Sequence, residues 1–134
     1  MILLLGSTGY IGQEFYKQLF QKGIPCRASH ISAKEITYNQ LTLLHKSLKL
    51  TTIINCAGYT GKPNVDACET DKHNTTYGNV VLPDMLSLFC GQNNVTFADV
   101  SSGCIYTGRR MDNNPFTEND RPNFSFEQNN CSFY

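Results

Sequence analysis

Met1-Ile2-Leu3-Leu4-Leu5-Gly6-Ser7-Thr8-Gly9-Tyr10-Ile11-Gly12 opens the chain, and its reading decides the fold. Residues 1–5 are continuously apolar, as in a parallel-sheet strand buried on both faces. Glycines follow at 6, 9 and 12, and then Ile11, Phe15, Leu19 and Phe20 recur at helical spacing through Lys22. Gly23 stands where a helix C-cap belongs. Glycines between a strand and a helix permit a tight turn and let the backbone approach a pyrophosphate. The helix N-terminus adds unpaired N–H groups and the positive end of its dipole. The spacing is GxxGxxG rather than GxGxxG, so the strand–turn–helix context carries the reading more than the triplet does.

Further along, strands and helices alternate. Residues 24–28 read as a second strand, and Glu35-Ile36-Thr37 as a very short third one. A helix follows with Leu41, Leu44 and Leu48 on one face. Residues 51–56, centred on Ile53 and Ile54, are another buried strand. Residues 74–90 form a helix that Pro83 should kink or restart. Residues 95–100 are the last strand. This alternation predicts an α/β fold, a Rossmann-like doubly wound parallel sheet with right-handed crossovers. From Tyr106 to Tyr134 the periodicity disappears and a long loop is expected, of the kind that usually belongs to a site. No repeat, low-complexity tract or linker divides the chain, so residues 1–134 read as one dinucleotide-binding domain.

Composition narrows the function classes. Eleven Lys+Arg balance eleven Asp+Glu in 134 residues, with no basic block, so neither nucleic acid nor an anionic membrane is an expected partner. The apolar opening is shorter than a signal peptide core or a membrane span. The six cysteines form no CxxC pair, and a chain of this size needs no disulfides, so free thiols and a cytoplasmic location are expected. His30, His45 and His73 lack metal-ligand spacing, no metal is expected, and surface roles are assigned to them. Asp66 and Glu69 read as capping or surface residues.

Two further motifs bear on ligand choice. An NAD site would place Asp or Glu at the end of the second strand, to bond the ribose hydroxyls. Arg27-Ala28-Ser29-His30 stands there instead. Arg27, Ser29 and His30 suit a 2′-phosphate, which favours NADP(H) over NAD(H); a solvated surface role for Arg27 is the alternative. Gly58-Tyr59-Thr60-Gly61-Lys62-Pro63 hints at a triphosphate loop, but Cys56 and Pro63 occupy the places of its first glycine and its Ser/Thr.

Four phrases together resemble the extended short-chain dehydrogenase/reductases, in particular the dTDP-4-dehydrorhamnose reductase and nucleotide-rhamnose epimerase-reductase branch. They are GSTGYIG; EITYNQLTLLHKSLKLTTIINCAGYT from Glu35; GYTGKPNVDACE from Gly58; and SSGCIY with FTENDRPNF and CSFY. The resemblance covers the whole chain. It implies NADPH-dependent reduction of a nucleotide-linked 4-keto-6-deoxysugar, as in dTDP- or UDP-rhamnose synthesis, with this chain supplying the cofactor-binding part.

The resemblance also assigns roles. Gly6, Gly9 and Gly12 would hold the pyrophosphate, with Ser7, Thr8, Tyr10 and Ile11 lining the turn. Asn55, Cys56, Ala57 and Gly58 would form the turn beside the cofactor, with Tyr59 and Thr60 near its ribose. Ser102 falls on the catalytic Ser/Thr that bonds the substrate carbonyl. Tyr134 falls on the catalytic tyrosine that protonates the alkoxide, its phenol lowered in the family by a lysine four residues later. Cys104 matches a cysteine suited to proton exchange beside a ketone, with a packed thiol as the equal alternative. Asn79 matches a structural asparagine or is a solvated helix residue.

That lysine lies past Tyr134, and residues 125–130 resemble an insertion. The chain is therefore expected to be the N-terminal part of a longer reductase, truncated before the substrate-binding region and inactive alone, with a nucleotide-sugar substrate and a homodimer expected at full length. Two other readings stand. One is a non-catalytic regulatory subunit like that of methionine adenosyltransferase, which resembles the same reductases. The other is a degenerate product that binds nothing.

Overall fold

The computed structural model describes residues 1–29, 35–101 and 105–124. Four strands form: β1 (Ile2–Leu5), β2 (Cys26–Ala28), β3 (Thr52–Asn55) and β4 (Thr96–Asp99). All pair in parallel, in the order β2-β1-β3-β4. The chain steps from β1 to one side for β2, then crosses back over β1 to β3 and β4. The direction therefore reverses between β1 and β3, the topological switch point where ligands of open α/β sheets bind.

Helix α1 (Tyr10–Gln21) joins β1 to β2, and α2 (Tyr38–Leu48) joins β2 to β3. The last crossover carries a 3-10 turn (Val65–Glu69), α3 (Lys72–Thr76), a π turn (Tyr77–Val81) and α4 (Leu82–Asn93). Leu3, Leu5 and Ile53 from the sheet meet Leu41 of α2 and Leu82, Leu86 and Phe89 of α4 in one buried cluster. Each such side chain contributes about 1.5–3 kcal/mol by leaving water. Right-handed crossovers put α1 on the opposite face, over Leu4 and Ile54, both buried.

Several expectations are corrected. Glu35-Ile36-Thr37 is not a strand. Thr37 instead caps α2 in a reciprocal box: its Oγ1 accepts from Gln40 N–H, while its own N–H donates to Gln40 Oε1 at 2.8 Å. Ile36, just before the cap, is buried in the same cluster as Leu41 four positions past the cap, the places of a hydrophobic staple. Helix α1 has the predicted span and period, but its apolar stripe is not buried. Gly12 is its only buried residue, and Phe20 is 77% exposed. It is the only described helix on its face, so no neighbouring helix there covers its flank. His45 is not a surface residue either: its ring packs edge-on against Phe89 with Nδ1 buried.

The helix read over 74–90 begins at Lys72 and restarts at Leu82. Pro83 lacks the N–H that would bond back to the Asn79 carbonyl. The π turn Tyr77–Val81 takes up that gap, and Pro83 sits in the first turn of α4, where a missing N–H costs nothing. The described part of the long loop, residues 105–124, has no helix or strand. It is held by Tyr106, stacked on Phe116 at 4.9 Å with its hydroxyl 2.9 Å from the Thr117 and Asp120 carbonyls.

Among the described residues, no helix is long and apolar enough to cross a membrane.

Candidate functional site

Two turns meet at the switch point. The first, after β1, closes with Gly9 N–H donating to Gly6 O at 3.0 Å, and α1 begins with Gln13 N–H donating to Gly9 O. Gly6 has φ +69°, and a Cβ there would fall 2.6 Å from Ala57 N. A Cβ on Gly12 would fall 2.1 Å from Gly6 O. Glycine is therefore required at both positions by close approach of backbone. Gly9 caps α1 without a side-chain acceptor, and no acidic residue stands in its first turn. The N–H groups of this uncapped helix start suit an anionic group such as a pyrophosphate. By this test the residues fit a dinucleotide.

The second turn, after β3, is built by Asn55. Its Oδ1 accepts from Ala57 N–H at 3.2 Å and its Nδ2 donates to Ala57 O at 3.1 Å and to Asp99 Oδ1 at 2.7 Å. Further out, the turn is latched by Asn79 of the π turn. Asn79 Oδ1 accepts from Tyr59 N–H at 2.8 Å, and its Nδ2 donates to Tyr59 O at 2.9 Å. This two-point bond, rather than solvation, is what Asn79 does.

Beside the second turn lies a cleft of about 780 Å³, which the start of α1 reaches through Ile11. Ile11 of α1 lines it, with Asn55, Cys56, Ala57, Gly58 and Thr60 of the second turn. Thr75, Thr76, Asn79, Val80 and Pro83 form the opposite wall, and Asp99, Val100 and Ser101 the end of β4. Tyr59 is not among these side chains: its hydroxyl donates to Asp71 Oδ2 at 2.6 Å, which raises its pKa. Burial, and then the Asp99 charge, raise the Cys56 thiol above its ordinary range.

The other assigned residues divide. Ser7 and Thr8 belong to the first turn and Tyr10, 94% exposed, begins α1; none of the three lines the cleft. Arg27 is exposed on β2 in register with Leu3, and Ser29 follows it, N–H bonded to Leu4 O; neither lines the cleft. His30, Ser102, Cys104 and Tyr134 lie outside the described residues. Asp99 escaped the sequence reading. Its signal was positional, since it ends β4 directly opposite Asn55 at the switch point.

A family model described as the RmlD substrate binding domain matches residues 1–125. The trifunctional UDP-glucose 4,6-dehydratase/UDP-4-keto-6-deoxy-D-glucose 3,5-epimerase/UDP-4-keto-L-rhamnose-reductase of Arabidopsis thaliana is 32% identical over 92% of this chain. The chain spans 19% of that relative's length. The crystal structure of the L780 UDP-rhamnose synthase of Acanthamoeba polyphaga mimivirus superposes with a TM-score of 0.80 at 26% identity, covering 92% of this chain and 45% of that one. A Bacillus anthracis dTDP-4-dehydrorhamnose reductase in complex with NADP superposes at 0.67, covering 82% of this chain and 39% of that one. At 15% identity, this last likeness is one of fold.

Proposed function

The chain belongs to the RmlD substrate binding domain family, and on that footing we propose that it is the cofactor-binding part of a nucleotide-sugar 4-keto reductase that takes NADPH in preference to NADH. The observation that carries the reading is the stacking of the two turns. Gly6 and Gly12 seat the uncapped N-terminus of α1 directly on backbone of the two turns, and Ile11 of that helix lines a cleft of dinucleotide size.

In this reading the first-turn N–H groups of α1 hold the pyrophosphate, and the Asn55–Gly58 turn bounds the cleft beside the ribose and nicotinamide. A reduced nicotinamide, when bound, would supply hydride to the carbonyl carbon of the sugar. Ser102, three residues past the end of β4, bonds the carbonyl oxygen and polarises it. Tyr134 is assigned the delivery of a proton to that oxygen, and Cys104 proton exchange at the carbon next to the ketone. Arg27 and Ser29 lie at the end of β2 with no carboxylate between Arg27 and His30, which favours a 2′-phosphate over a free ribose hydroxyl pair.

The binding half is tested by titrating the chain with NADPH and following nicotinamide fluorescence. Saturable binding, tighter than for NADH, is expected; no binding overturns the reading. The reaction half is tested by NADPH oxidation with a UDP- or dTDP-linked 4-keto-6-deoxysugar, in the protein that contains this chain. No turnover there would leave a binding subunit and sink the reductase.

A further inference from the structure

Asn55 and Asp99 face each other across the β3–β4 ladder, in parallel register, so their side chains leave the sheet on one face. Asn55 is 1% exposed, and both polar atoms of its side chain are engaged. A carboxylate can only accept hydrogen bonds. It therefore dictates that Nδ2 of Asn55 faces β4 and leaves Oδ1 for the Ala57 N–H. Turned over, the amide would set its oxygen against the Asp99 carboxylate and its NH2 group against the Ala57 N–H. The Cys56–Ala57 backbone is the wall on which Gly6 rests.

We propose that Asp99 is a positioning residue of the cleft: it holds the Asn55 amide in one orientation and so ties the turn after β3, on which the glycine turn packs, to the end of β4. The consequence for cofactor affinity rests on the dinucleotide reading; the effect on the turn rests on the geometry alone. The Asn55–Asp99 side-chain bond thus adds to the backbone bond from Val100 N–H to Asn55 O in joining this turn to the end of β4.

Two substitutions separate the acceptor from the charge. Asp99→Asn keeps an acceptor and removes the charge, whereas Asp99→Ala removes both. In Asp99→Ala, exchange of the Ala57 amide hydrogen, read by NMR, should quicken about tenfold, and the NADPH dissociation constant should rise about tenfold. In Asp99→Asn both should stay within about twofold of the parent. The pH midpoint for alkylation of Cys56, followed by peptide mass spectrometry, should fall in both variants, because the charge that raises the thiol has gone. The Val100 amide, bonded to Asn55 O in the sheet ladder, is the internal control and should keep its protection. Unchanged Ala57 exchange in Asp99→Ala overturns the proposal, as does equal loss in both variants or parallel loss at Val100. If no form binds NADPH while Ala57 follows the expected pattern, the dinucleotide reading fails and the positioning role stands.

Discussion

A Cβ atom on Gly12 would lie 2.1 Å from the carbonyl oxygen of Gly6. The first turn of α1 is thus seated directly on the turn that leaves β1. Gly6 is in the same position towards Ala57, so three backbone segments are stacked at contact distance. That stack brings the helix N-terminus and the β3 turn to one cleft.

Gly12→Ala is expected to push α1 off the glycine turn. Overpacking of this kind costs about 1–3 kcal/mol, a fall of several degrees in melting temperature. NADPH affinity should drop at least about tenfold even where the protein stays folded, because the N–H groups lose their aim. Thermal melting and fluorescence titration check the two effects separately.

Asn79→Ala removes both bonds to the Tyr59 backbone, about 1–2 kcal/mol of stability. Asn79→Asp keeps an acceptor for the Tyr59 N–H but sets a carboxylate against the Tyr59 carbonyl, and should be no better. Both variants should weaken NADPH binding, measured by titration, while the secondary structure by circular dichroism stays intact.

Cofactor choice should respond at Arg27. Arg27→Ala is expected to weaken NADPH about tenfold and leave NADH within about twofold, as loss of a charge-assisted phosphate contact would. Equal weakening of both cofactors would argue against a 2′-phosphate role.

Thr37→Ala is the contrasting case. It breaks the capping box of α2, far from the cleft, and should cost about 1 kcal/mol in denaturant unfolding with the NADPH dissociation constant unchanged.

Burial raises the Cys90 thiol to about 11. The neutral form is the one favoured in the folded state, so at pH 9 only about one per cent should be thiolate. Cys90 should therefore resist iodoacetamide at pH 9 in native protein and react once urea unfolds it, as peptide mass spectrometry would read.

The sheet was legible in the sequence because a strand covered on both faces shows as a continuous apolar run, as residues 1–5 do, and because Ile53 and Ile54 put an apolar centre in residues 51–56. The glycine turn was legible because its spacing between a strand and a helix is a local signal and Gly12 answers to Gly6 six residues earlier, although Gly6 itself answers to Cys56 and Ala57 across the sheet. Thr37 misled because a β-branched residue with a hydroxyl suits a strand and a helix cap alike. The stripe on α1 set its period correctly, but period says which side is apolar and not what covers it. Asn79 and Asp99 were illegible in their roles for a different reason. Their partners stand 20 and 44 residues away in the chain, and only the crossover brings them together.

The most direct measurement of the central claim is an NMR titration of the isotope-labelled chain with NADPH, following backbone amides. Saturable shifts should concentrate at residues 9–12 and at Ala57 and Gly58, the two turns that Gly6 stacks. Absence of saturable shifts, or shifts confined to residues 105–124, would contradict a dinucleotide site at the switch point.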